Sequence, residues 1–338
     1  MIEVTVDLGE RSYPVLIGAG VRHELAHYLP ERTRRVALVT QDGIGWASSM
    51  SSDARQTTHM ISKGEAAKTL ATVEMLCEQF VAAGLTRHDT LVGVGGGVVT
   101  DVAGFAAAVY YRGVSVIHVP TTLLGMIDAA IGGKTGVNLK AGKNLVGAFW
   151  QPQAVLCDTE ALTTLPPREL RSGLGELAKY HFLTGDDLEA LPLEKQIAAA
   201  VAIKAAAVSA DEHEQTGVRA TLNYGHTLGH ALETTGHYDL RHGEAVAIGL
   251  VYAARLAQML GRIDEARVAE HVRVVARHDL PVSIPSSSDP DDLVAVMRRD
   301  KKVTGDGLTF VLDGPNGVEL VSDVPVDIVI AAMKQLRG

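Results

Sequence analysis

The sequence predicts an α/β N-terminal domain with a parallel sheet, followed by a mainly α-helical C-terminal domain. Three observations support this fold class. Strand-like and helix-like segments alternate in the first half, a glycine-rich turn joins one strand to the next helix, and strand signals are few in the second half. The 338 residues are 46% hydrophobic and 21% charged, which is typical of a globular protein.

The alternation is clearest in the first 120 residues. The β-branched run 35–40 predicts a strand, and the helical spacing of apolar residues in 65–84 predicts a helix. A second strand, 89–94, runs directly into the glycine turn, and 114–119 predicts a third. This order of strands and helices indicates a parallel sheet covered on both faces.

The second half has a different character. Helical spacing predicts helices over 197–208, 223–233 and 244–260, and a short strand over 309–312. We therefore expect a domain over 1–160 and a second domain over 161–338. A cleft between two such domains is a common ligand site.

Composition and charge exclude several classes of protein. Lys plus Arg is 31 and Asp plus Glu is 40, a net charge of −9, which argues against a general nucleic-acid binder. The longest uncharged apolar stretches, such as 102–111 and 245–254, run to ten residues, whereas a membrane span needs about 20. The two cysteines, Cys77 and Cys157, indicate a reducing compartment. We expect a cytoplasmic protein without a signal peptide.

The glycine turn at 93–101 follows a strand and opens a helix. Glycines let the backbone approach a phosphate, and a helix N-terminus supplies free N–H groups, so the turn suits the pyrophosphate of a dinucleotide. The alternative is a tight structural turn. Thr121 and Thr122 lie at the carboxyl end of the next strand, where ligands bind in open α/β sheets. On the local sequence alone, a helix cap is the better explanation of these two residues.

A basic cluster follows in the segment 128–144. It contains Lys134, Lys140 and Lys143 among glycines and asparagines. In a chain of net negative charge, this pattern favours a specific phosphate or carboxylate ligand. The alternative is a solvated loop with ordinary surface lysines.

Histidines and a glutamate form the strongest local signal. Glu176 precedes His226 and His230, which are four residues apart on one helical face, and His242 follows. Such residues are typical of an open catalytic zinc site, in which three protein ligands leave a position for substrate. The spacing leaves open which two of the three histidines bind the metal. The alternative is a set of structural or surface histidines.

Several further charges lie in apolar surroundings. Lys204 interrupts a predicted helix, Arg219 precedes the histidine segment, and 300–302 contains Lys301. Each alone is typical of a surface charge. Taken together with Lys179 and the lysines of 128–144, they suggest an anion-binding cage.

These residues and several further segments resemble the 3-dehydroquinate synthase family through nearly the whole chain. The segments that carry the resemblance are 64–68, 95–101, 111–113, 120–124, 128–144, 165–170, 175–180, 223–230, 242–246 and 300–302. The resemblance implies a Rossmann-like domain that binds NAD and a helical domain with most of the metal and substrate site. It also implies a homodimer and the second reaction of the shikimate pathway.

The resemblance further implies roles for individual residues. Glu176, His226 and His242 are expected to bind zinc or cobalt, and His230 to lie near the substrate. The expected NAD contacts are Asp42, Glu65, Lys68, Gly96, Gly97, Val98, Asp101, Thr121, Thr122, Lys134, Lys143, Thr163 and Thr164. The expected catalytic and substrate-binding residues are Arg112, Asp128, Lys134, Asn144, Lys179, Lys204, Arg219, Asn223, His230 and Lys301.

The implied reaction converts 3-deoxy-D-arabino-heptulosonate 7-phosphate to 3-dehydroquinate and phosphate, which makes the enzyme a carbon–oxygen lyase acting on phosphates. A lysine and arginine cage suits the phosphate and carboxylate of this substrate. In the family, NAD oxidises C5, the ketone acidifies the neighbouring C–H and phosphate leaves by β-elimination. NADH then returns the hydride, and an aldol closure makes the carbocycle.

Three alternatives stay open at this point. Related sugar-phosphate cyclases, the 2-deoxy-scyllo-inosose and valiolone-type synthases, differ chiefly in the substrate cage. Here the cage favours a carboxylated substrate, on the identities of Arg112, Lys179, Arg219, Asn223 and His230. A metal- and NAD-dependent dehydrogenase of the glycerol dehydrogenase type would release NADH, and the phosphate-binding lysines argue against it. The third alternative is a non-catalytic NAD-binding protein.

Overall fold

The structure is a computed structural model that describes residues 1–185, 187–236, 239–300 and 307–337. Its strands are β1 (Ile2–Val6), β2 (Tyr13–Gly18), β3 (Arg35–Gln41), β4 (Arg55–Ile61), β5 (Thr90–Gly95), β6 (Ser115–Pro120), β7 (Lys134–Leu139), β8 (Gly142–Phe149), β9 (Ala154–Asp158), β10 (Leu308–Leu312) and β11 (Glu319–Val324). Its helices are α1 (Leu25–Tyr28), α2 (Leu70–Ala82), α3 (Gly97–Val109), α4 (Pro167–Thr184), α5 (Leu193–Ala210), α6 (His226–Thr235), α7 (His242–Met259), α8 (Glu265–Ala276), α9 (Pro290–Asp300) and α10 (Val326–Gln335).

The chain divides into two compact units, and neither is a single stretch of sequence. The first unit is Met1–Pro166 with Pro192–His213, and the second is Pro167–Leu191 with Glu214–Gly338. The sequence-based boundary at residue 160 differs from this division in two respects: the first break falls after Pro166, and α5 belongs to the first unit. This helix packs on β1 and β2, and it buries Ile197, Val201 and Val208. That apolar face explains why the helix groups with the sheet.

A seven-stranded sheet forms the centre of the first unit, in the order β1-β2-β9-β6-β5-β3-β4. All neighbouring pairs are parallel except β1 with β2. Leu91 and Val92 of β5 enter two different apolar clusters, because successive side chains of a strand point to opposite faces. The predicted parallel sheet with both faces covered is confirmed.

The second unit is built mainly of helices around α7. That helix is buried on nearly all sides, from Ala245 to Ala257, as expected for an apolar helix at the centre of a bundle. In this unit, β10 and β11 form an antiparallel hairpin. Within the described ranges, no helix has both the length and the apolar character needed to cross a membrane.

Candidate active site

Three helices of the second unit bring the predicted metal ligands together. Glu176 lies in α4, His226 is the first residue of α6, and His242 is the first residue of α7. Their ligand atoms all lie within 4.8 Å of one another. The Nε2 atom of His226 is 3.7 Å from Oε2 of Glu176. One carboxylate and two imidazoles form a donor set that zinc and cobalt accept.

Close approach of α4 and α7 makes this cluster possible. A Cβ atom at Gly243 would lie 1.7 Å from the Ser172 carbonyl oxygen, and one at Gly175 would lie 2.2 Å from the Gly243 carbonyl oxygen. Only glycine fits at either position, and each glycine is next to a ligand in the sequence. These glycines therefore set the distance between Glu176 and His242.

The hydrogen bonds of the Glu176 carboxylate are those expected of a metal ligand. The side chain is fully buried, and Lys179 pairs with its Oε1 atom. Its Oε2 atom is buried and has no hydrogen-bond partner within the described part of the chain. A buried carboxylate oxygen without a partner is costly, and a bound cation removes that cost.

The His226 ring is oriented to present Nε2. Its Nδ1 atom lies 3.1 Å from the Tyr224 carbonyl oxygen, which only accepts hydrogen bonds, so Nδ1–H donates. Burial lowers the pKa of His226 well below its usual value, and the nearby charges of Lys179, His242 and His230 lower it further. The neutral ring therefore keeps a lone pair on Nε2, as a metal ligand requires.

A second group of possible ligands overlaps the first. His230, Glu233 and His242 also hold ligand atoms within 4.8 Å of one another. His230 lies beside His226, with ring centroids 5.3 Å apart. The sequence-based prediction missed Glu233, although it follows His230 by three positions and so lies on the same helical face.

In the first unit, the glycine turn joins the end of β5 to the start of α3. A Cβ atom at Gly96 would lie 3.0 Å from Thr122 Cγ2, so the turn and the end of β6 are in close contact. Thr122 Oγ1 accepts a hydrogen bond from the Gly125 N–H at 3.0 Å, so this threonine does cap the following turn. Thr121 N–H donates to the Gly95 carbonyl at 2.9 Å. The expected NAD contacts of both segments therefore lie together.

A buried lysine adds charge beside this turn. Lys68 is 4% exposed, and its Nζ atom donates to Asp101 Oδ2 at 2.6 Å and to Asn144 Oδ1. Burial raises the pKa of Asp101 to about 6, against the opposing effect of the Lys68 ammonium. Glu65 joins the group at 3.7 Å from Lys68 Nζ. Asn138 Nδ2 donates to Glu65 Oε1 at 2.8 Å, so five polar side chains from three segments of the chain meet at the start of α3.

The other expected NAD contacts are more dispersed. Asp42 is exposed and pairs with Lys63 at 3.4 Å. Thr163 and Thr164 lie in the 3-10 helix Thr159–Thr164, and their hydroxyls donate to carbonyls of that same helix. Lys134 and Lys143 lie on β7 and β8, so the segment predicted as a basic cluster forms a β-hairpin.

Two expected substrate residues of the first unit form a pair. The Lys204 ammonium, 5% exposed on α5, donates to both the side chain and the main-chain carbonyl of Asp128. Arg112 is exposed and has a φ of 65°, in the left-handed region.

The expected substrate residues of the second unit include a buried arginine. Arg219 is 2% exposed, and its Nε atom lies 3.8 Å from Oε1 of Glu214. Asn223 ends the same 3-10 helix, Val218–Asn223. Lys301 lies outside the described residues.

Comparisons with known proteins identify the family. The family model for the N-terminal part of 3-dehydroquinate synthase matches residues 58–172, and the model for the C-terminal part matches residues 173–303. A 3-dehydroquinate synthase from Mycobacterium leprae is 44% identical over 93% of this chain and 91% of its own. This chain belongs to the 3-dehydroquinate synthase family. The predicted family, fold class and enzyme class are confirmed.

Two further sequence relatives are similar to nearly the whole chain. A 3-dehydroquinate synthase from Thermosynechococcus vestitus is 40% identical over 99% of both chains. A relative from Amycolatopsis mediterranei, provisionally named as an aminodehydroquinate synthase, is 52% identical over 98% of this chain and 94% of its own.

Solved structures of related cyclases match the whole fold. A 2-deoxy-scyllo-inosose synthase complexed with carbaglucose-6-phosphate, NAD+ and Co2+ has a TM-score of 0.87 and 28% identity, covering 99% of this chain and all of its own. A 2-epi-5-epi-valiolone synthase from Streptomyces hygroscopicus with NAD+ and Zn2+ bound has a TM-score of 0.83 and 27% identity, covering 98% of both chains. A glycerol dehydrogenase from Sinorhizobium meliloti, at 18% identity and a TM-score of 0.63, covers 95% of both chains and shares the fold alone.

Proposed function

We propose that this chain converts 3-deoxy-D-arabino-heptulosonate 7-phosphate to 3-dehydroquinate and phosphate. It uses NAD and one divalent ion, zinc or cobalt. The observation that carries the proposal is the cluster of Glu176, His226 and His242, in which a buried carboxylate oxygen and a neutral imidazole face each other 3.7 Å apart. When bound, NAD supplies a reversible hydride acceptor and the ion a Lewis acid.

The first unit contributes the NAD-binding residues. The N-terminus of α3 suits the pyrophosphate, because the first N–H groups of a helix have no intrahelical acceptor and carry a partial positive charge, and no side chain of the described residues caps this helix. We assign the remaining contacts to the residues given above as expected NAD contacts. Among them, Lys68 and Asp101 form an ion pair beside the glycine turn, in which the lysine charge offsets the aspartate charge.

The chain's own charged groups recognise the substrate anions and exclude water. Lys179 is 1% exposed and keeps its ammonium beside the metal ligands, where it can hold an anionic oxygen. Arg219 and Lys204 are similarly buried cations, and they lie beside the carboxylates of Glu214 and Asp128. We propose that these cations bind the carboxylate and phosphate together with Arg112, Lys134 and Lys301. Asp128, Asn144, Asn223 and His230 are proposed to contact the other groups of the substrate.

Phosphate release without net NADH tests the proposed function. Purified protein with the heptulosonate phosphate, NAD in catalytic amount and zinc is expected to release one phosphate per product formed, with no lasting absorbance at 340 nm (the NADH band). Net NADH from a simple polyol would favour the dehydrogenase alternative. Tight NAD binding without turnover of any sugar phosphate would favour the non-catalytic alternative.

A second candidate function is the synthesis of an aminodehydroquinate. It is favoured by the 52% identity to the Amycolatopsis relative, which exceeds the 40–44% identity to the 3-dehydroquinate synthases described above. A direct comparison of kcat/KM for the heptulosonate phosphate and its amino-substituted analogue separates the two. A ratio above about ten in favour of one substrate corresponds to 1.4 kcal/mol of preferential transition-state binding.

We also propose that the protein is a homodimer in the cytoplasm. Both cysteines are free thiols, which fits a reducing compartment. Light scattering coupled to size-exclusion chromatography gives the mass: about 36 kDa would contradict the dimer, since the chain mass is 35.8 kDa.

A further inference from the structure

Glu233 of α6 is in direct contact with a predicted metal ligand. Its Oε2 atom lies 3.1 Å from Nδ1 of His242. The Glu233 side chain is about one-tenth exposed, and His242 is about one-quarter exposed. α6 and α7 pack closely here, because Gly229 leaves only 3.3 Å between its Cβ position and the Ala245 main chain. The contact is therefore held by the packing of two helices.

The chemistry of the two groups decides which of them donates the hydrogen bond. An ionised carboxylate only accepts hydrogen bonds, so Nδ1–H of His242 donates to Glu233. A neutral imidazole with a proton on Nδ1 has its lone pair on Nε2. His226 follows the same rule, with the Tyr224 carbonyl as its acceptor. Both histidines thus have Nδ1 at an acceptor oxygen of the protein, and in that tautomer the lone pair of each ring is on Nε2.

We infer that Glu233 is a positioning residue for the metal site: it accepts the Nδ1–H of His242 and directs Nε2 toward the ion. The inference rests on the metal site of the proposed function. Carboxylates in this place fix the tautomer and ring orientation of a ligating histidine and raise its basicity. The effect is larger for a carboxylate than for a carbonyl, so Glu233 supports His242 more strongly than Tyr224 supports His226.

A competing assignment makes Glu233 itself a ligand, with His230 and His242. Two observations favour the positioning role. The Glu233 Oε2 atom already accepts from His242, and Glu176 Oε2 is the buried oxygen without a hydrogen-bond partner among the described residues. If Glu233 were the ligand, Glu176 would remain buried beside Lys179 with that oxygen unsatisfied.

Metal affinity of two variants tests the inference without turnover. Glu233→Ala removes the acceptor, and Glu233→Gln keeps an acceptor oxygen at the same place. Zinc affinity is measured on each folded protein by competition with a chromophoric chelator, and Co2+ absorption reports the ligand set. We expect Glu233→Ala to weaken zinc binding by roughly 10- to 100-fold and Glu233→Gln to weaken it much less, with the Co2+ spectrum of Glu233→Gln unchanged.

Other outcomes overturn the inference. Equal, large losses in both variants together with a changed Co2+ spectrum would make Glu233 a ligand. Wild-type affinity in Glu233→Ala would remove any role at the metal. Glu265→Ala, an exposed glutamate of the same unit that pairs with Arg255, is the matched control. Because no readout needs substrate, a failure of the proposed reaction leaves these results interpretable.

Discussion

Lys68 Nζ and Asp101 Oδ2 lie 2.6 Å apart, which joins two residues separated by 33 positions. The lysine comes just before α2, and the aspartate lies in the first half of α3, about one helical turn after Gly97. The pair therefore ties the backbone at the expected pyrophosphate site to a neighbouring segment. Burial raises the pKa of Asp101 to about 6, and the ammonium of Lys68 limits this rise because it favours the ionised carboxylate.

Lys68→Met is expected to weaken NAD binding and to lower stability. Loss of the ammonium leaves the Asp101 carboxylate partly buried without its cation, which lowers the free energy of unfolding by about 1–3 kcal/mol. The loss stays this small because the carboxyl group can take up a proton. Calorimetric titration with NAD and urea unfolding measure the two effects. Lys195→Met, an exposed lysine of the same unit, is the control. Unchanged NAD affinity would show that the pair has no part in the cofactor site.

Removing one histidine at a time tests the ligand assignment. We expect His242→Ala to lose bound metal on dialysis and to lose activity, because one of three protein ligands is gone. His230→Ala is expected to keep its metal and to lose turnover only. Metal content by mass spectrometry and phosphate release measure both. Loss of metal from His230→Ala with retention in Glu176→Gln would instead identify the overlapping group around Glu233 as the site.

Gly243→Ala is expected to damage the metal site through the backbone. The added Cβ would lie 1.7 Å from the Ser172 carbonyl oxygen, so α4 and α7 must separate. The cost of such overpacking is about 3 kcal/mol or more, with a parallel loss of metal affinity. Gly45→Ala, where nothing lies within 4 Å of the added atom, is the control. Equal unfolding midpoints of the two variants would contradict the close packing described here.

Acid is expected to destabilise the first unit through His118. Burial in β6 lowers the pKa of His118 to about 4, from 6.5 in the unfolded chain. Between these values the unfolded state binds a proton and the folded state does not, so stability falls as pH falls from about 6.5 to 4. The full effect is about 3 kcal/mol at 1.36 kcal/mol per pKa unit. His118→Leu should show a shallower fall in urea unfolding between pH 7 and 4.5. An identical slope would assign the acid sensitivity to other groups.

The sequence predicts three adjacent strands of the central sheet, because buried parallel strands appear in a sequence as nearly continuous apolar runs rich in β-branched residues. β3, β5 and β6 all fall within two residues of their predicted limits. The place of α5 is not predictable in this way. Its apolar face is visible in the sequence, but nothing local says whether it packs on the sheet or among the other helices.

The metal site is also predictable from the sequence only in part. The residue types that bind a metal are evident from the sequence, but His230 is as well spaced as His226 and His242. The distinction depends on tertiary distances, which Gly175 and Gly243 set by letting two helices touch. Glu233 was missed because a glutamate in a helix is ordinarily a solvated residue, and its role depends on a partner nine positions later across a helix junction.

The membership of α5 in the first unit bears on how the protein is made. Domains emerging from the ribosome generally fold from the N-terminus as units. Here the sheet can assemble early, but β1 and β2 stay uncovered by their helix until residues up to His213 have been synthesised. The segment Pro167–Leu191, which carries Glu176, must wait longer still for His226 and His242. Nascent chains arrested before residue 213 should therefore depend on chaperones that shield apolar surface, whereas full-length chains should not.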